Sequence, residues 1–169
     1  MNSLQQNHQR GVTLVITFFV MVILLAIVMS ISLILFNETR MMSNMGNSVA
    51  AFYAAETGSE RTLYLDRKEI PPTAIRGFCN ICNVCSLSGC TSCSLIPLDA
   101  PINAGCDIDT CSNCQVLYTA AFSDKEYSVD ARLTPDPMTS GDFFFNIDVR
   151  GFYKDIVRAL NLNLIENNN

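Results

Sequence analysis

Cysteine is the residue type in this 169-residue chain whose number and spacing point most directly to chemistry. All eight cysteines fall between Cys79 and Cys114. Cys85, Cys90 and Cys93 form C-x4-C-x2-C, and Cys106, Cys111 and Cys114 repeat that pattern 21 residues later. Cys79 and Cys82 add a further C-x2-C. Two chemistries fit this order. Cys90/Cys93 and Cys111/Cys114 are separated by 17 residues, which falls within the C-x2-C-x15–20-C-x2-C spacing of zinc sites. Eight thiolates would hold two tetrahedral zinc ions or an iron–sulfur centre. The other chemistry is oxidation to disulfides. No C-x2-C here is followed by the glycine that commonly lets a zinc knuckle turn. The segment is also poor in large apolar residues, so it needs cross-links, each typically worth about 2–4 kcal/mol. Eight cysteines allow 105 pairings, and spacing does not choose among them.

Other reactive groups are scarce. His8 is the only histidine, so Ser/His, Cys/His and histidine-based metal catalysis lack their essential group. Formal charge is −5, and all sixteen acidic residues follow residue 37, which gives a nucleic-acid surface no electrostatic support. Asp107, Asp109 and Asp142 lack the spacing of a recognised calcium loop and read as solvated turns. Phe143-Phe144-Phe145 reads as strand core with one ring turned outward. The expectation is a non-enzymatic protein without a cofactor, with zinc at the cysteines as the alternative.

The elements that carry these residues begin with an apolar run. Val12 to Phe36 is 25 residues without a charge, of which 21 are apolar and the rest are Thr13, Thr17, Ser30 and Ser32. At about 1.5 Å per residue, such a helix crosses a hydrocarbon core of about 30 Å. A signal peptide has a shorter core of about 7–15 residues and a small-residue cleavage site. Phe36-Asn37-Glu38 is a poor match to such a site. Arg10 precedes the run and no acid does, which favours a cytoplasmic N-terminus although Arg40 lies beyond the other end. That orientation places the cysteines where even-numbered thiols oxidise. Disulfides are therefore the preferred reading.

Glu38 to Asp66 contains no proline, and Val49, Phe52, Tyr53, Leu63 and Leu65 recur at loosely helical intervals. Gly46 and Gly58 each weaken that helix by about 1 kcal/mol relative to alanine. Ile70-Pro71-Pro72 stops it. A helix from Val12 to Asp66 would be about 80 Å long and cannot bury its own outer half. It needs a small domain packed on it, or copies of itself. Pro71 to Gln115 reads as a cross-linked loop. Segments that alternate apolar and polar residues follow: Gln115–Ala120, Tyr127–Leu133, Phe143–Arg150 and Ile156–Ile165. The turns fall at Ser123-Asp124, Thr134-Pro135-Asp136-Pro137, Ser140-Gly141-Asp142, and around Gly151, Lys154 and Asp155. Three or four antiparallel strands on the helix would make an α+β domain.

The N-terminal half carries a resemblance. Gln9-Arg10-Gly11-Val12-Thr13-Leu14, the apolar helix, and then Ala51-Phe52-Tyr53-Ala54-Ala55-Glu56-Thr57-Gly58 resemble the N-terminal domain of PilX-type minor type IV pilins. The match covers residues 9–65, and its motif residues are Ala54, Ala55, Glu56 and Gly58. The resemblance implies a leader ending at Gly11, cut by a prepilin peptidase, with Val12 as the N-methylated mature terminus. It also implies an inner-membrane assembly platform and other pilins as partners, with passage from the cytoplasmic membrane into an extracellular pilus. One position departs from the general pilin pattern. The fifth mature residue, a glutamate in major pilins, is Ile16 here. A carboxylate in an apolar helix costs a few kcal/mol unless partnered. In major pilins the resemblance assigns that partner as a neighbour's terminal amine. Ile16 therefore points to an initiating or tip-located minor subunit.

The segment around Val149-Arg150-Gly151-Phe152-Tyr153 and Val157-Arg158 is also similar to the closing hairpin of minor pilins. The expected organisation is a leader over 1–11, a transmembrane assembly helix over 12–36 and its exterior continuation over 37–68. A cysteine-rich loop over 69–114, antiparallel strands over 115–166 and a tail over 167–169 complete a type IV pilin-like form. A pseudopilin of a type II secretion system shares the same N-terminal features. A membrane-anchored metal or electron-transfer protein would use the cysteines instead.

Overall fold

Pro71 and Pro72 are the first prolines of the chain, and the helix before them is uninterrupted. In the computed structural model, which describes residues 3–87, 89–98, 106–108, 111–138 and 142–166, helix α1 spans Ser3–Lys68. The few hydroxyls in its apolar stretch bond back to the helix's own carbonyls. Thr17 Oγ1 donates to Leu14 O at 2.9 Å, Ser30 Oγ to Ala26 O at 2.9 Å, and Ser32 Oγ to Val28 O at 2.9 Å. This leaves no unpartnered hydroxyl among these three, as an apolar solvent requires. Arg67 and Lys68 in the last turn complement the negative end of the helix dipole.

The chain divides into two compact units, 1–44 and 45–169. The described residues of the first are helix alone, and every described side chain in it is exposed. In the second, the helix from Met45 to Lys68 packs on a five-stranded antiparallel sheet whose spatial order follows the sequence. The strands are β1 (Cys90–Pro97), β2 (Cys114–Phe122), β3 (Lys125–Pro135), β4 (Phe143–Tyr153) and β5 (Ile156–Glu166). The register is in phase across the sheet. Tyr118 opposes Val129, Val129 opposes Val149, and Val149 opposes Leu160, so these four share the helix-facing side. That side is the core: Val116 and Tyr118 on β2, Tyr127, Val129, Ala131 and Leu133 on β3, and Phe145, Ile147 and Val149 on β4 are buried. Fully burying a large apolar side chain contributes about 1.5–3 kcal/mol. The three central strands therefore supply a large part of the core, facing Ala51, Ala54, Ala55 and Leu65 of the helix and Phe78 and Ile81.

Three expectations need correction. The sheet has five strands rather than three or four, because the segment read as a loop contains a 3-10 turn (Phe78–Asn80), a short helix α2 (Ile81–Leu87) and β1. β1 escapes a periodicity reading because it buries little: of its inward positions Cys90, Cys93 and Leu95 pack against the core, none of them fully buried, and its outward residues are mostly small and polar. Gly151 is not part of a turn. It lies inside β4 opposite Tyr127 and Arg158, and the turn is Lys154-Asp155 alone. β3 likewise continues through Thr134 and Pro135. Asp109, the Ser140-Gly141 part of a turn and the tail 167–169 lie outside the described residues.

Candidate functional site

The helix meets the sheet through its smallest residues. Ala51, Ala54 and Ala55 are fully buried, and Gly58 continues their face one turn on. A Cβ at Gly58 would stand 2.7 Å from Tyr127 Cδ2 and 2.8 Å from Val149 Cγ1. From the sheet side, a Cβ at Gly151 would run into the carbonyl oxygen of Ala51 and the amide nitrogen of Ala55. Three of the four motif residues, Ala54, Ala55 and Gly58, thus form a close seat for the helix, with Gly151 as its counterpart. Glu56 stands off this contact, half-buried, and its backbone carbonyl accepts a hydrogen bond from Ser59 Oγ at 2.8 Å.

Beyond Gly58 the seat becomes polar and stays satisfied. Thr62 Oγ1 donates to Gly58 O and shares a second hydrogen bond with the Tyr118 hydroxyl, both at 2.8 Å. Arg61 Nη1 donates to the Tyr127 hydroxyl at 3.2 Å. Burial pushes the Tyr118 phenol far above its ordinary range, with Tyr127 adding to the shift and the Thr62 hydrogen bond and Arg61 opposing it. Tyr118 is therefore a neutral structural hydroxyl rather than an acid–base group.

At the helix C-terminus a buried ion pair holds the chain's exit. Asp66 is 1% exposed and accepts from Arg76 Nε at 2.9 Å and Arg76 Nη2 at 2.6 Å. The guanidinium also lies 5.5 Å from the Phe145 ring centroid and 5.9 Å from that of Phe143. Gly77 N donates to Asp66 O at 2.8 Å. Sequence reading missed this bridge and the role of Gly151. Signals existed for both: Asp66 lies on the same helical face as Ala55 and Thr62, and Gly151 is a lone glycine within a strand pattern. Of the phenylalanine triplet, Phe145 is core, Phe143 is half-buried and Phe144 turns outward.

The structure pairs all eight cysteines. The bridges are Cys79–Cys111, Cys82–Cys93, Cys85–Cys90 and Cys106–Cys114, with Cα–Cα distances of 5.7, 5.4, 5.3 and 5.0 Å, all in the usual range of about 4.4–6.8 Å. Three are nested: Cys79–Cys111 encloses Cys82–Cys93, which encloses Cys85–Cys90. They bind the 3-10 turn to the segment just before β2, and α2 to β1. The zinc spacing joined Cys90/Cys93 to Cys111/Cys114, yet each of these four has a partner outside that set. With every sulfur in a disulfide, no thiolate is left in this arrangement to ligate zinc or iron. Among the described residues no three His, Cys, Asp or Glu side chains are grouped as metal ligands, and Asp107 and Asp142 do not come together in one.

The remaining surface of note is the apolar helix. From Leu14 to Phe36 its large side chains are about half exposed or more, and Ile16 is one of them at 56%. It is the one described helix long and apolar enough to cross a membrane. Gly11 and Val12 lie within α1. Comparison of the chain with protein-family models, with curated proteins and with solved structures finds no match in any of the three.

Proposed function

We propose that this chain is a minor type IV pilin, a structural subunit held in the cytoplasmic membrane as a precursor and passed into a pilus after cleavage between Gly11 and Val12. One observation carries the reading: a wholly exposed apolar helix runs on without a break into a small-residue seat, where Ala54, Ala55 and Gly58 dock it on an antiparallel sheet. An apolar helix whose described side chains are exposed along this stretch needs lipid or neighbouring helices. Assembly is the exchange of one for the other. The disulfide-laced region would then stand on the exterior side, where such bridges persist. Ile16 in place of a carboxylate leaves nothing to neutralise a preceding subunit's terminal amine, which suits a subunit that starts the filament or caps its tip.

The test is the N-terminus of the mature protein. Co-expression with a prepilin peptidase is expected to yield a chain that begins at N-methylated Val12, and Gly11→Leu is expected to leave the precursor uncut. A mature protein that still carries residues 1–11 overturns the proposal.

A further inference from the structure

The two edges of the sheet are built differently. β1 is blunted: its register with β2 shifts between Cys90 and Ser92, Pro97 closes it, and Cys90 and Cys93 tie it to α2. β5 has none of these devices. Its pairing with β4 runs without a shift from Tyr153↔Ile156 to Phe143↔Glu166. From Ala159 to Ile165 it contains no charge, proline or glycine. Natural edge strands carry such interruptions because a long unbroken edge recruits another strand. The inner face of β5 is also unfinished. Leu160, Leu162 and Leu164 lean on the core but remain half-buried, while Ile147 and Val149 beside them on β4 are at most 1% exposed.

The same segment is self-complementary. Read outward from Leu162, Asn161 mirrors Asn163, Leu160 mirrors Leu164, and Ala159 mirrors Ile165. One step further, position 158, an arginine, mirrors position 166, a glutamate. We propose that β5 pairs with β5 of a second copy, antiparallel and centred on Leu162, so that the two sheets become one. In that register leucine opposes leucine on the inner face and asparagine opposes asparagine on the outer face. Asn146 and Asn163 already make such an asparagine pair across β4 and β5. Opposed residues of an antiparallel pair share a face, so the two-fold axis stands perpendicular to the sheet. Both copies' Met45–Lys68 segments then lie on the same side, with a continuous strip of leucines between them. The axis also reverses every direction in the plane of the sheet. Those segments therefore run in opposite directions, and the pairing joins copies that meet from opposite ends rather than neighbours with parallel helices.

The test uses the full-length chain in detergent, with the native cysteines paired. Leu162→Cys sets the new thiol opposite its own copy, and mild oxidation is expected to give a disulfide-linked dimer on a non-reducing gel. Asn161→Cys and Asn163→Cys are expected to form no disulfide-linked species singly and to cross-link when mixed. Sedimentation is expected to find a dimer for the natural chain and its loss in Asn161→Lys/Asn163→Lys, whose two positions are exposed, with an unchanged circular dichroism spectrum. Equal self-cross-linking of all three cysteine variants would mean parallel pairing and overturn the proposal. So would a monomeric natural chain without cross-linking, or a dimer that survives the double lysine variant.

Discussion

Gly46, Gly58 and Gly151 form a graded test of how tightly the helix is seated. At Gly46 a Cβ would meet nothing within 4 Å. Gly46→Ala is therefore expected to stabilise by about 0.5–1 kcal/mol, the helix-propensity difference alone. At Gly58 the same gain is set against contacts of 2.7 Å with Tyr127 and 2.8 Å with Val149. Both neighbours are buried side chains, so the overpacking cost is about 1–3 kcal/mol, and the net effect is a loss of about 0–2 kcal/mol. At Gly151 the obstructing atoms are the backbone O of Ala51 and N of Ala55, which no rotamer change can move. The helix must lift from the sheet, and the loss is expected to reach about 3 kcal/mol or more. The assay is urea denaturation of the full chain in detergent with disulfides intact, followed by near-ultraviolet dichroism of the tyrosines, since the chain has no tryptophan. The expected order of midpoints is Gly46→Ala, natural chain, Gly58→Ala, Gly151→Ala. A Gly151→Ala midpoint equal to or above that of the natural chain would falsify the close seat.

Removing one partner of the Asp66–Arg76 bridge, by Asp66→Asn or Arg76→Ala, is expected to cost about 3–5 kcal/mol, and the double variant less than the sum, as a thermodynamic cycle of denaturation midpoints would measure. Because burial raises the Tyr118 phenol above its unfolded value, the folded state holds that proton longer. Its contribution to stability is complete below about pH 10 and falls above it by up to about 1.4 kcal/mol per pH unit. Urea midpoints measured across that range should show this slope, and Tyr118→Phe should flatten it while lowering stability at neutral pH. Among the bridges, replacing Cys79–Cys111 by serines opens the longest loop and should cost about 3–4 kcal/mol, against about 2 kcal/mol for Cys85–Cys90, as the same melts would rank.

The alternating segments from Gln115 to Ile165 were legible because each central strand buries every second side chain, and burial forces apolar residues into that period. The helix was legible for a simpler reason. It is uninterrupted by proline, and its apolar stretch matches a bilayer in length. β1 was not legible, since a strand anchored by two disulfides and one neighbour needs few apolar residues. Nor was the meaning of Gly58, which as a helix glycine reads only as a weakness. In the tertiary structure it is one of the points where helix and sheet approach most closely.

The sequence by itself determined the apolar helix, its stop at Pro71, the α+β class and the concentration of cysteines, because each is a property of composition or local period. Only the tertiary structure decided which cysteines meet, that Gly151 receives Ala51 and Ala55, and that Asp66 is answered by Arg76. It also decided that one edge strand, β1, is tied down by two disulfides while the other, β5, is not. These are relations between residues distant in the chain, and local sequence does not encode distance in space. Pairings of that kind exist only once the helix has settled on the sheet.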